Sequence, residues 1–291
     1  MLKILFSRFV PNYYFLSRIC FLITLMGCEQ TFLIEMDVEY EKKIHSTGYI
    51  INGQSISLYV QLTQHPLHPQ PDEELELDII LKTQKGESIE LRTDGLNFYQ
   101  TTEDFTPQTG QCFRLQVDYS PLESVNNIKM VCVPAPVLID SLSYSVDAQR
   151  NGLFHFYFTD PPGPNFYAIR LLKFDEEGNE IQEAKHRILP ETSFSDQVAI
   201  NGQITAFTSS SIIWHDDEGP RFVHAVKAIL YHLDEHTFQF LQSIEEAEGT
   251  LDDLWSEPTM VYSNMSNEVG IFGAFATDTM YMELNLKTTN N

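Results

Sequence analysis

Ser46-Thr-Gly-Tyr-Ile-Ile-Asn-Gly-Gln-Ser-Ile-Ser-Leu-Tyr-Val-Gln61 holds two β-prone runs on either side of an Asn-Gly pair. Asn-Gly between such runs signals a hairpin with a type I′ turn. Strands are therefore expected at 46–51 and 55–61. The pattern repeats outward, with expected strands at 75–82, 88–93, 112–119 and 128–133, and a turn at Thr83-Gln84-Lys85-Gly86. Short strands at this spacing point to a β-sandwich.

Val133-Pro134-Ala135-Pro136 interrupts the series. Proline cannot donate to a sheet ladder, so the segment reads as a stiff connector and a boundary. A second set of strands is expected at 139–146, 153–159, 166–174, 200–207 and 222–233. The last of these is apolar on both faces, as an inner strand would be. Asp234 then reads as an N-cap, and a helix over 237–248 places Phe238, Leu241 and Ile244 on one side. The class is mostly β, with one short helix in the C-terminal half.

The N-terminus carries Lys3, Arg8 and Arg18, no acidic residue, and the apolar run Ile-Cys-Phe-Leu-Ile-Thr-Leu-Met-Gly before Cys28. This is the layout of a secretory signal; the run is too short for a membrane span. Leu25-Met26-Gly27-Cys28 resembles the lipobox of bacterial lipoproteins, which implies cleavage before Cys28 and acylation of its thiol. The alternative is an ordinary signal peptide with an incidental cysteine. Three of the 18 basic residues and none of the 41 acidic ones fall in residues 1–27, leaving 15 against 41. Such a chain is unsuited to nucleic acid and to anionic lipid surfaces. With 43% hydrophobic and 12% aromatic residues it should bury a core. Cys112 and Cys132 lie on expected strands flanking Leu122. They would face one another in a hairpin, either as a disulfide or as two buried thiols.

His232-Leu-Asp-Glu-His236 fits an H-x-x-E-H zinc pattern. That chemistry needs one continuous helix, whereas the expected strand-to-helix break falls inside these five residues, so no metal site is expected. Trp214-His215-Asp216-Asp217-Glu218-Gly219 reads as an acidic loop without regular calcium-loop spacing. It and the proline-stiffened turn at Pro162 and Pro164 are the candidate binding loops. His65-Pro-Leu-His-Pro-Gln-Pro is a stiff loop, and Asp72-Glu73-Glu74 and Asp175-Glu176-Glu177 read as solvated acidic segments. Phe98, Tyr99, Phe105 and Trp255 are loop aromatics, placed in a core or on a contact surface. No nucleophile elbow, phosphate loop or dinucleotide fingerprint is present, and no cofactor is expected.

Phe158-Thr-Asp-Pro-Pro-Gly-Pro-Asn-Phe-Tyr-Ala-Ile-Arg170, Thr237-Phe-Gln-Phe-Leu-Gln-Ser-Ile-Glu245, Glu257-Pro258, Ser263-Asn264, Val269-Gly-Ile-Phe-Gly-Ala-Phe275 and Gly110-Gln-Cys-Phe-Arg-Leu-Gln-Val117 resemble segments of a family of outer-membrane lipoproteins from Bacteroidota, domain of unknown function 4249. Cys112 and Phe113 depart from its pattern. The resemblance implies two immunoglobulin-like sandwiches behind a signal peptide, at 28–135 and 136–291 after residues 1–27. It also implies an outer-membrane setting beside a TonB-dependent transporter, and it brings no catalytic residues. The expected function is a non-enzymatic accessory or binding partner of that transporter in nutrient uptake. An envelope hydrolase and a structural or adhesion module are the alternatives. Glu29 after Cys28 hints at surface export, and the membrane face stays open.

Overall fold

Alternating burial builds the sheets. Phe113, Leu115 and Val117 point one way from their strand, as do Phe154, Phe156 and Phe158 from theirs; successive side chains of a strand face opposite sides. The computed structural model describes residues 40–65, 75–102, 104–120, 122–146, 151–181, 190, 192–199, 202–216, 219–250, 259–267 and 269–284. The expected signal peptide, Cys28, Asp72-Glu73-Glu74, Asp217, Glu218, Trp255 and Glu257-Pro258 lie outside them.

The N-terminal half contributes β1 (Ile44–Ile51), β2 (Ser57–Leu62), β3 (Asp78–Thr83), β4 (Ser88–Ile89), β5 (Leu91–Thr93), β6 (Phe98–Thr101), β7 (Cys112–Asp118), β8 (Val125–Asn126) and β9 (Val131–Cys132). The C-terminal half contributes β10 (Ile139–Val146), β11 (Asn151–Thr159), β12 (Phe166–Phe174), β13 (Thr192–Ser195), β14 (Gln203–Ser211), β15 (Ile213–Asp216), β16 (Gly219–Phe222) and β17 (Ala225–Leu233), then helix α1 (Glu235–Thr250) and strand β18 (Gly270–Glu283). The mostly β class and the single helix stand among the described residues.

β18 joins the halves. Residues 270–275 pair in parallel with β1, from Ser46 opposite Gly270 to Ile51 opposite Phe275. Residues 275–283 pair antiparallel with β17, from Leu233 opposite Phe275 to Ala225 opposite Glu283. One sheet of order β13-β12-β17-β18-β1-β2-β6-β5 results. Its β1–β2–β6 part shares a core with the β3–β7 sheet, through Ile50, Leu58, Val60, Leu81, Phe113, Leu115 and Val117. Its β12–β17 part shares a second core with the sheet β10-β11-β14, through Phe154, Phe156, Phe158, Tyr167, Ile169 and Leu230.

The boundary at 135/136 divides the two cores but not the sheet. Phe272 and Ala274 of β18, with Met265, lie inside the N-terminal core. The described residues up to 135 therefore share their core with β18, and Lys42–Asn291 form one compact unit.

Three local expectations are corrected. In the Asn-Gly turn only Gly53 has a positive φ, 74°, while Gln54 N–H donates to Ile51 O at 3.1 Å. That is the pattern of a type II turn, not type I′. The reason is Asn52 N–H, which donates to Phe275 O at 3.2 Å and draws the chain toward β18. The expected strand 88–93 is cut at Glu90, with β4 joining β3 and β5 joining β6 in the other sheet. The expected acidic loop at 214–219 is a hairpin, with Trp214 opposite Arg221 and His215 opposite Pro220. Ile, Trp and Phe at its ends favour strand over loop.

Candidate functional site

β18 changes partner at Phe275, and among the described residues no strand neighbours the outer edge of residues 270–274. Side chains take a strand's place there. Asn264 Nδ2 donates to Phe272 O at 2.7 Å, and its Oδ1 accepts Phe272 N–H at 3.0 Å. Asp234 Oδ1 accepts Ala274 N–H at 2.9 Å, and Asp234 N–H donates to Ala274 O at 2.9 Å. The same carboxylate caps α1, accepting Thr237 N–H at 3.1 Å, His236 N–H at 3.3 Å and the Thr237 hydroxyl. The expected N-cap is thus also the splice between the halves. Phe238 and Leu241 bury the helix against Ala168 and Leu233. Ile244, expected on the same side, is half-buried.

The second network surrounds the proline turn. Asn165 Nδ2 donates to Pro161 O at 2.6 Å, Gly163 O at 2.8 Å and Asp160 Oδ1 at 3.2 Å. Pro162 and Pro164 therefore sit in a turn closed by one amide, with Gly163 at φ 111°. Tyr167 O–H donates to Asp160 Oδ1 at 2.6 Å. Burial first, then that bond, push the phenol well above its usual range. Asp196 Oδ2 accepts Asn165 N–H at 3.2 Å.

His232 joins this network from β17. Nδ1 lies 2.6 Å from Ala135 O, in the Pro-Ala-Pro connector, and Nε2 lies 3.1 Å from Asn165 Oδ1. Both nitrogens face acceptors, which favours the protonated ring, but burial is the larger influence and lowers the pKa from 6.5. A base held below its unfolded pKa gives full stability above pH 6.5 and loses it as pH falls below that value. Denaturant unfolding is expected to show lower stability at about pH 5.5 than at about pH 7.5, with a smaller difference in His232→Gln. A stability that rises on acidification would refute the assignment.

The H-x-x-E-H residues separate as their position implies. His232 belongs to the β17 network. His236 begins α1, with Nδ1 2.7 Å from Tyr262 Oη and the two rings stacked. Among the described residues, no three His, Cys, Asp or Glu side chains cluster as a metal site would require.

Cys112 and Cys132 stand opposite one another on β7 and β9 and are bonded, with Cα atoms 4.0 Å apart. The link closes a separation of 20 residues. Replacing both by serine is expected to cost roughly 2–4 kcal/mol; an unchanged denaturation midpoint would show that the link adds nothing. Among the aromatics expected in loops, Phe98 and Tyr99 lie on β6, Tyr99 in the core, and Phe105 packs edge-on against Phe113 at 6.1 Å. In the sequence Asn264 carries no signal beyond the Ser263-Asn264 pair, and Asn165 none beyond the proline turn. Their roles depend on backbone groups distant in sequence.

These features define a two-core β protein spliced by a shared strand. Residues 29–280 match the model of the family Domain of unknown function (DUF4249), and the chain belongs to that family. No curated protein matches the chain.

Proposed function

We propose that the chain is a lipoprotein anchored at the outer membrane, which acts without catalysis as an accessory or binding partner of a TonB-dependent transporter in nutrient uptake. One observation carries the anchor: the family match begins at residue 29, directly after the cysteine of Leu25-Met26-Gly27-Cys28. The stretch that matches the family thus starts directly behind the residue at which an acyl anchor would be attached. Two or more acyl chains, at about 0.8 kcal/mol per buried methylene, hold a protein stably on a bilayer. The transporter rests on the resemblance to Bacteroidota outer-membrane lipoproteins, and the acidic balance suits a protein kept off anionic headgroups.

Cys28→Ser is expected to abolish lipid labelling and move the protein out of the outer-membrane fraction. A mature N-terminus at another, unmodified residue would exclude the anchor. Crosslinking and pull-down from native membranes are expected to recover one large β-barrel, and gene deletion to impair growth on a particular nutrient. Recovery of no barrel, with a general envelope defect, would favour a structural module.

A further inference from the structure

The outer face of the β10-β11-β14 sheet is unlike the rest of this chain. Its three strands contain 26 residues and one formal charge, Asp140, whereas 20% of the whole sequence is charged. About five charges would be expected there at that rate. Edge strands, as β10 and β14 are in this sheet, usually carry charge to discourage unwanted pairing, so its absence is informative.

The register sets out what the face presents. Tyr157 lies between Ser141 and Thr205, and Leu153 lies between Ser145 and Ser209. His155, between these rows, lies between Ser143 and Phe207. The flanking serines and Thr205 are exposed, and Tyr157 is 37% exposed. The Tyr157 and His155 rings lie within 22° of parallel, with centroids 6.4 Å apart. The result is a Leu-His-Tyr row along β11, with three serines in register on the β10 side and Thr205, Phe207 and Ser209 on the β14 side.

We propose that this face binds a neutral oligosaccharide lying along β11. Pyranose rings offer apolar C–H faces that rest on the faces of aromatic rings. Their hydroxyls donate and accept, as the flanking Ser and Thr hydroxyls do. The charge pattern selects the neutral class. The face has no Lys or Arg to hold an anionic polymer, the chain's net charge of −23 repels one, and the single Asp140 is too little to hold a polycation. Asp140 Oδ2 also accepts the Thr159 hydroxyl at 3.0 Å, which ties it to the end of the sheet. This assignment stands apart from the transporter partnership.

The test is calorimetric titration of the purified protein, in a sugar-free detergent, with cellohexaose, maltohexaose, xylohexaose and mannohexaose. Hexagalacturonate serves as the anionic control. At least one neutral hexaose is expected to bind and hexagalacturonate is not. Tyr157→Ala is expected to weaken binding roughly tenfold or more. Ser143→Glu, at an exposed position, should do the same with its thermal transition unchanged. Binding of none of the four, equal binding of the anionic control, or binding that survives both substitutions would overturn the proposal. So would a wild-type dimer that Ser143→Glu splits, since the face would then belong to a second copy. None of these outcomes bears on whether a barrel is recovered from native membranes.

Discussion

Residues 28–135 produced alone are expected not to fold. Their core lacks Phe272 and Ala274, each fully buried, together with Met265. Fully burying a side chain such as Phe or Met contributes about 1.5–3 kcal/mol. Losing Phe272 and Met265 therefore removes a large part of the roughly 5–15 kcal/mol that holds a domain together. The edge of β1 that pairs with β18 would also be left with bare backbone groups. Circular dichroism and a denaturant titration of the fragment would check this. A cooperative transition in the isolated half would show that β18 is dispensable to it. Gly270→Ala in the full chain tests the same joint more gently. Gly270 has φ 103°, and an added Cβ would collide with the Ser46 carbonyl. Backbone cannot yield as a side-chain tip can, so a large loss of stability is expected.

Asp234→Ala is expected to cost about 2–4 kcal/mol. It removes a helix cap, worth about 1 kcal/mol, and leaves Ala274 N–H, on the outer edge of β18, without its acceptor. An unpaired enclosed donor costs about 1–3 kcal/mol. Asp234→Asn keeps an oxygen at the Oδ1 position and should cost less than half as much. Thermal or chemical unfolding of the two variants decides the matter. Equal losses would mean that the negative charge, and not the hydrogen-bond geometry, holds the splice.

Much of the strand pattern is legible because alternation is local. The strands 166–174 and 139–146 can be read to the residue, and the N-cap shows in Asp234 itself and in the Phe238, Leu241 and Ile244 spacing after it. Features that escape local reading depend on distant partners. Of β18 the sequence marks only residues 269–275, and only through the family resemblance; its second partner, β17, takes over at Phe275. β6 reads as loop because four residues show little periodicity, and its strand character comes from pairing with β2 and β5. The site residues obey the same rule. Pro162 and Pro164 announce a stiff turn, but the closing amide of Asn165 and its link to His232 join β12 to β17. The face on β11 shows in sequence only as Leu153, His155 and Tyr157 alternating with three phenylalanines. Its hydroxyls come from two other strands, with Phe207 between the two that β14 supplies.

The pairing of Ser46 with Gly270 also sets an order of events. A ribosome must make every residue in between before the first strand meets its parallel neighbour. Contacts so far apart in sequence form slowly, because loop closure must come before any gain from the contact. Until then the early half has an open seam that a holdase can occupy and a protease can attack. A chain broken off before β18 never shuts that seam, so an incomplete copy remains recognisable as incomplete.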